Sequence, residues 1–422
     1  MRALAEEKCK KVEGISVITA RGSPLRIVHI VGYFMPEVGY EEYFLAKEQL
    51  KLGHNVAVLT SDRPLPHLSS GRGERLKVGK EVLGGLEVVR LKALGEFFYD
   101  MVLAPGVRSA LEELSPDVVH LHEPKHLFGF PAALKRRRNY GLVMDIHDFD
   151  YPDHPIHREI RGPVDAVVVG EYVTFRRLVG RAVFKRADHI VAVIPACRNF
   201  LEDFYKVRGP PVTVTGLGAD TEMFHYTEKG RRRIREMYSL EGKEVLIFSG
   251  VITRRKRLED VLEVFSSLAK ENPNLRLMVV GDGPEDYFRM LKSKAEALGI
   301  SERVIFTGFI PKERLKEYFS AADIGVWLSN NSINQLEAMA CRLPVVVPEL
   351  QLSFIFKQGG ALLFPPGEKD AFKKALVEIL ADEERREALG REGEKLVRER
   401  YSYSHIAGRL VEIYQSVVEK RR

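Results

Sequence analysis

Short apolar runs alternating with amphipathic segments extend through almost all of the 422 residues, and this limits the fold more than any other feature of the chain. LRIVHIV (25–31), NVAVLT (55–60), DVVHLH (117–122), LVMDIH (142–147) and HIVAVI (189–194) are mostly apolar throughout. Strands of that kind are covered on both faces, as in a parallel sheet between layers of helix. The stretches between them read as helices, for example Glu41 to Leu52, which ends at Gly53. A second series follows: EVLIFSG, RLMVVGDG, RVIFTGF, IGVWLS, PVVVP and GALLF. Repeated βα units build doubly wound parallel sheets, so the expected class is α/β with two Rossmann-like domains. KVRGPPVTVTGLGAD (206–220) is rich in Pro and Gly and reads as the boundary between them. EVLGGLEVVRL (81–91) reads as an inserted hairpin turning on Gly84-Gly85. Two such sheets leave a cleft between their carboxyl ends, where ligands of this architecture bind.

The segment 323–348, DIGVWLSNNSINQLEAMACRLPVVVP, reads as buried strand, polar loop, short helix and second buried strand. Ser332-x-x-Gln335 is a capping-box pattern that opens a helix from Ile333 to Cys341. Capping leaves other first-turn N–H groups free, and these favour an anion such as a diphosphate. Glu337 stands one turn inside, its side chain tilted back toward the same helix end. A carboxylate beside an anion site is repulsive unless it serves another group, such as a sugar hydroxyl. A capped helix carrying a solvated Glu explains the same spacing about as well.

SGVITRRKRLEDVL (249–262) reads as strand, basic loop and helix, with Arg254, Arg255, Lys256 and Arg257 where the strand ends. Cations at a helix N-terminus oppose its dipole and so call for another reason. A diphosphate supplies one, since Arg binds it bidentately and Lys as a point charge.

LEAMACRLPVVVP (336–348) closely resembles the donor-site signature of the large retaining glycosyltransferases of family 4, which have the GT-B fold. That signature has two glutamates with seven residues between them and an EAMACGxPVV run. The second glutamate matches Glu337. The first falls on Ser329, its following glycine on Asn330, and the glycine before the proline on Arg342. The basic loop resembles the family's G-R-x-x-x-x-K-G. Gly250 and Lys256 match, while the arginine falls on Val251, so Arg254 or Arg255 would supply that charge. FMPEVGYEEYFLAKEQLKLGHNVAVLTS (34–61) resembles the family's opening, with Gly39 on its first glycine and Tyr40 in place of its second. VVGDGP (279–284) and FTGFIPKERLKEYFSAAD (306–323) are also similar to family segments.

The resemblance spans Leu25 to about Tyr414 and implies a retaining transfer of a sugar from a nucleoside diphosphate donor, without a metal. Lys256 with Arg255 or Arg254 would hold the diphosphate. Glu337 would hold the ribose or a nearby donor hydroxyl, and His147 would sit beside the transferred sugar. The backbone of Gly308, Phe309 and Ile310 would border the base. Gly39 would let backbone N–H groups approach the phosphates. Ser329, Asn330, Asn334, Gln335 and Leu336 complete the expected donor contacts. The implied domains are 25–210 for the acceptor and 211–401 for the donor, with a final helix, about 402–422, crossing back to the first. The acceptor would be a sugar, a lipid-linked sugar or a small molecule.

Composition narrows the remaining choices. A net charge of +6, dispersed over 65 basic and 59 acidic residues, gives no reason to expect nucleic acid. Three scattered cysteines, Cys9, Cys197 and Cys341, point to a reducing compartment, hence the cytoplasm. Residues 1–24 lack the apolar core of a signal peptide and read as a flexible extension. Few Asn and Gln among many Lys, Arg and Glu suggest a thermophilic source. FRRLVGRAVFKRADH (175–189) is basic and amphipathic, with Phe175, Leu178, Val179, Val183 and Phe184 apolar. With ALKRRRNYG (133–141) it offers a peripheral contact to anionic membrane, or an ordinary packed helix. Asp148-x-Asp150 mimics a metal-binding carboxylate pair, against the surrounding pattern. Two other readings stay open from sequence: a nucleotide-sugar epimerase on the same fold, and a non-catalytic scaffold, motivated by the missing glutamate and arginine.

Overall fold

The computed structural model describes residues 23–65, 75–97, 101–123, 127–134, 138–149, 162–329 and 332–422. Asn330, Asp150, residues 135–137 and the extension up to residue 22 lie outside these.

The first sheet contains β1 (Arg26–Ile30), β2 (Asn55–Ser61), β3 (Gly79–Leu83) and β4 (Leu86–Leu91). β5 (Gly95–Phe97) and β6 (Met101–Leu103) pair separately as a small antiparallel ribbon. β7 (Val118–Leu121), β8 (Gly141–Ile146), β9 (His189–Ala192) and β10 (Val212–Val214) complete the first sheet, in the order β10-β9-β8-β7-β1-β2-β4-β3. Its pairings are parallel except for the β3–β4 hairpin, which turns at Gly84 and Gly85 with φ of 56° and 91°. The second sheet holds β11 (Glu244–Ser249), β12 (Leu275–Val280), β13 (Val304–Gly308), β14 (Ile324–Val326), β15 (Val345–Pro348) and β16 (Ala361–Phe364). It is wholly parallel, in the order β13-β12-β11-β14-β15-β16. β11, β12 and β15 bury nearly every side chain, which accounts for their unbroken apolar sequences.

The Pro/Gly stretch does more than link. Val212–Val214 pairs with β9, so the first sheet continues past residue 210, where sequence placed the boundary. The chain then crosses at Ala219 and returns beside itself at Ser402, the two passes joined by Ala219 N–H to Tyr401 O (2.8 Å) and Tyr403 N–H to Ala219 O (3.1 Å). The final helix, Tyr403–Glu419, is N-capped by Ser402 and lies on the first domain against the first helix, Glu41–Lys51. Tyr403 stacks on Phe44 with ring centroids 4.7 Å apart. Ile406, Leu410, Val411 and Val417 are buried there, each contributing roughly 1.5–3 kcal/mol.

The basic segment before β9 is helical from Pro163 to Phe184, with a wider π-helical turn at Glu171–Arg176. Its apolar set divides. Val183 and Phe184 are buried in the core, whereas Phe175 and Leu178 are 41% and 66% exposed. The single apolar face expected from sequence is therefore partly core packing.

In each sheet the chain reverses direction once, between β1 and β7 and between β11 and β14. Loops leaving the carboxyl ends of these strand pairs splay apart and open a crevice. Gly39, Gly250, Arg254 to Lys256 and Ser329 lie on those loops, Asn334 to Glu337 in the helix that follows β14, and Gly308 to Ile310 and His147 at the ends of the neighbouring strands β13 and β8.

Candidate active site

β11 ends at Ser249, Gly250 follows, and the chain makes a 3₁₀ turn over Arg254–Lys256 before the helix Leu258–Glu271. The structure sorts the four cations. Arg257 pairs with Asp260 at 2.7 Å. Arg254 turns toward the helix Glu285–Ala297, 3.5 Å from Asp286 and over the Tyr287 ring. Arg255 and Lys256 have no ion-pair partner among the described residues. Burial, then the charge of Arg255, lowers the Lys256 ammonium to about 8. A partly desolvated cation beside another cation is relieved by an anion. Of the two candidates for the displaced family arginine, Arg255 is the one left available.

The loop after β12 holds this turn in place. A Cβ on Gly281 would lie 2.0 Å from the Gly250 carbonyl oxygen, and one on Gly283 would lie 1.9 Å from that of Ile252. The glycines of VVGDGP thus permit backbone to pack on backbone.

The helix after β14 runs Ile333–Ala340, with Ser332 as N-cap and Cys341 just past its end. The Gln335 side chain accepts from the Ser332 backbone N–H, as the capping-box pattern requires. Leu336 is fully buried behind it. Ser329 Oγ donates to the Arg255 carbonyl at 2.8 Å, and Trp327 Nε1 to that of Ser249 at 3.0 Å. These bonds tie the loop after β14 to the basic turn, so the two loops flanking the reversal point form one unit. Asn334 Nδ2 reaches Ser249 Oγ at 3.5 Å. On the far side, Gly308 has a φ of 71°, Phe309 is 73% exposed, and Ile310 is partly buried against the core.

Glu337 is 6% exposed. Burial raises its carboxyl, and Lys312, whose Nζ is 3.2 Å away, opposes the rise. Sequence reading missed Lys312. The available signal was a lysine at the start of the helix Lys312–Ala321, where the dipole disfavours a cation. The Lys312 ammonium also lies 5.2 Å from the Phe44 ring of the first domain, so it spans the cleft.

In the first domain Gly39 has a φ of 69° and ends a turn at Pro36–Val38. Its absent side chain would meet the Phe44 ring at 3.2 Å. His147 follows β8, its side chain 29% exposed, with Nε2 3.5 Å from Asp145 and 4.0 Å from Glu41. Burial alone would lower its imidazole. Asp145, then Glu41 and Glu123, outweigh burial and hold it well above the usual range. Burial pushes the Glu41 carboxyl up to about 7. Glu41 and Glu337 both act on the buried Tyr403 hydroxyl, so carboxylates of the two domains share one neighbourhood.

Two arrangements suggested a cation. Asp148 accepts hydrogen bonds from the hydroxyls of Tyr172 and Tyr205, a structural use of that carboxylate. His29, His120 and His122 each offer a ring nitrogen, all within 4.8 Å of one another. Yet His29 Nδ1 and His122 Nε2 are 2.8 Å apart, while their ring centroids are 5.1 Å apart and the planes 16° from parallel. The centroid distance is the N···N distance plus the two ring radii, so the nitrogens point straight at each other. That line is too short for an ion at the usual length of about 2.0–2.1 Å from both. It suits one shared proton.

Two parallel α/β domains facing across such a cleft, with cations and a helix N-terminus at its second-domain wall, define the GT-B class of sugar transferases. The sequence matches Glycosyl transferase 4-like domain over residues 43–218 and Glycosyl transferases group 1 over residues 230–396. The chain belongs to the group 1 glycosyltransferases. It is 28% identical over 263 residues to the GDP-mannose-dependent alpha-(1-6)-phosphatidylinositol monomannoside mannosyltransferase of Mycolicibacterium smegmatis, covering 58% of this chain and 67% of that one. It is 27% identical over 310 residues to alpha-monoglucosyldiacylglycerol synthase of Streptococcus pneumoniae, covering 70% and 67%. Among solved structures, sucrose-phosphate synthase from Thermosynechococcus elongatus superposes with a TM-score of 0.66 at 19% identity, covering 93% of this chain and 99% of that one. Anabaena HepE in complex with UDP and glucose does so at 0.66 and 17%, covering 93% and 100%.

Proposed function

We propose that the protein transfers a sugar from a nucleoside diphosphate donor, with retention of anomeric configuration and without a metal, to an acceptor bound by the first domain. The observation that carries the donor assignment is the bond from Ser329 Oγ to the Arg255 carbonyl. It joins the basic turn to the loop that opens the donor-side helix, so unpaired cations and free helix N–H groups face one anion. Lys256 and Arg255 stabilise the departing diphosphate. Glu337, steadied by Lys312, accepts from a donor hydroxyl, and His147 faces the sugar from the opposite wall. Gly250, Gly308, Phe309 and Ile310 shape the nucleotide's bed, and Gly39 brings backbone toward the phosphates. Calorimetric titration with GDP-, UDP- and ADP-sugars tests the site. One donor should bind the parent, and Lys256→Ala should weaken it about tenfold or more. Equal affinity of both proteins for that donor would refute the diphosphate assignment.

The acceptor proposed is a sugar, free or lipid-linked. The two relatives described above name lipids, a phosphatidylinositol monomannoside and a monoglucosyldiacylglycerol, and Phe175, Leu178, Val164 and Val167 are exposed beside Arg177 and Arg181. No helix among the described residues is long and apolar enough to cross a membrane. We assign a peripheral role to this face. The protein should sediment with phosphatidylglycerol vesicles at low salt and not with phosphatidylcholine vesicles, and Leu178→Glu should release it. Equal recovery with both lipids would remove the assignment. A cytoplasmic location and a thermophilic source accord with the cysteine usage and charge-rich composition.

A further inference from the structure

Behind His147 lies a row of buried polar groups that the donor site does not use. Asp145 on β8 is 3% exposed. Its Oδ1 accepts from the Glu123 backbone N–H at 2.8 Å, and its Oδ2 accepts from His122 Nδ1 and lies 3.5 Å from His147 Nε2. From His122 the row continues through the collinear bond to His29, then His29 Nε2 to Gln49 Oε1 at 2.7 Å. Gln49 Nε2 donates to the Tyr414 hydroxyl at 3.4 Å, and Tyr414 meets His120 Nδ1 at 2.7 Å. His29, Gln49 and Tyr414 have no exposure at all.

A buried carboxylate is costly unless donors surround it. Here they do, from His122 and the Glu123 backbone in the loop after β7 and from His147 itself. Asp145 outweighs burial at His122 too and raises its imidazole, whereas burial, then His122, lowers the His29 imidazole to about 3, and burial holds His120 well below the usual range. Only the end of the row nearest Asp145 favours a proton, and His147 alone of these rings reaches the cleft.

We propose that Asp145, fixed by the row His122–His29–Gln49–Tyr414, is a positioning residue that holds His147 as an imidazolium facing the cleft. His147 then acts on the substrate as a cation and hydrogen-bond donor, and not as a base. The catalytic part of this proposal rests on the donor-site reading above, whereas the pairing of Asp145 with His147 does not. The other charged or titratable groups facing His147 are Glu41 on the first helix, His120 on β7, and His122 and Glu123 just after β7.

The test is an NMR titration of histidine-labelled protein with His147 assigned, run on the parent, Asp145→Asn and Glu41→Gln, beside the pH profile of kcat/KM. The parent His147 should stay protonated well past neutral pH. Activity that needs the imidazolium is present below its titration point and is lost as pH rises through it. Asp145→Asn should move both midpoints down by about one pH unit or more, and Asp145→Glu should restore them in part. Glu41→Gln sits at the cleft wall and leaves the row intact, so it tests the claim even if Asp145→Asn does not fold. Its His147 should remain protonated past neutral pH. A fall to the ordinary histidine range in Glu41→Gln, or none in Asp145→Asn, overturns the pairing. A shifted His147 titration with an unmoved kcat/KM profile overturns the catalytic role alone. Absence of transfer with every donor would count against the donor reading and leave the titration to decide the pairing.

Discussion

Ser329 occupies the place of a family glutamate, and its hydroxyl is bonded to the backbone of the basic turn. A serine there adds no negative charge to a site that must accept a diphosphate and can hold a sugar hydroxyl only weakly. Ser329→Glu should therefore change which donor sugar is preferred, with thermal stability close to the parent, in a donor panel run on both proteins. Identical profiles would show that the position does not line the sugar pocket. Lys256 makes a pH-dependent claim. Its ammonium is lowered to about 8 by burial and by Arg255, so donor binding should be full below that pH and weaken as pH rises through it. Binding that is constant across that range would contradict a charged role. At this scale the sequence spoke unevenly. Lys256 and Glu337 could be proposed from sequence because motif and physical argument pointed the same way. Lys312 could not, because its partners Glu337 and Phe44 come from another helix and another domain.

At the scale of elements, apolar runs announced the strands, and β1, β2, β7, β8, β9 and all six strands of the second sheet lie within about three residues of their expected places. The hairpin on Gly84-Gly85 was equally plain. Contacts between elements were less legible. Nothing in VVGDGP by itself shows that Gly281 packs so close to the Gly250 carbonyl that a side chain has no room. Gly281→Ala adds a Cβ 2.0 Å from that oxygen at a φ of 134°. The backbone strain alone costs about 1–3 kcal/mol, and the clash should displace the basic turn as well. The variant should melt several degrees lower and lose donor affinity beyond what its stability loss explains. A variant with unchanged Tm and unchanged affinity would mean the two loops do not depend on each other. The buried row behind His147 was hidden for a related reason: Gln49 and Tyr414 are 365 residues apart in sequence. Histidines within apolar runs, as His29 and His120, or at the end of one, as His122, gave no sign that the three would meet.

For the whole molecule, the two domains are joined where the chain crosses at Ala219 and returns at Ser402, and the last helix locks onto the first. Alternating βα patterning made this architecture readable, and the Pro/Gly stretch 206–220 contains the crossing at Ala219, although its residues 212–214 pair into the first sheet beyond the expected boundary at 210. The acceptor side is less readable because it is built from loops with no shared spacing. The central claim is that a charge cluster at the reversal point of the second sheet, and no metal, stabilises the leaving diphosphate. Its most direct measurement is sugar transfer in the presence of EDTA, with product configuration read by NMR, for the parent and Lys256→Ala at matched Tm. The account predicts full transfer by the parent with the donor's anomeric configuration kept, and a loss of about 10²–10³ in the variant. Transfer abolished by EDTA and restored by manganese or magnesium, or a variant as active as the parent, would contradict it.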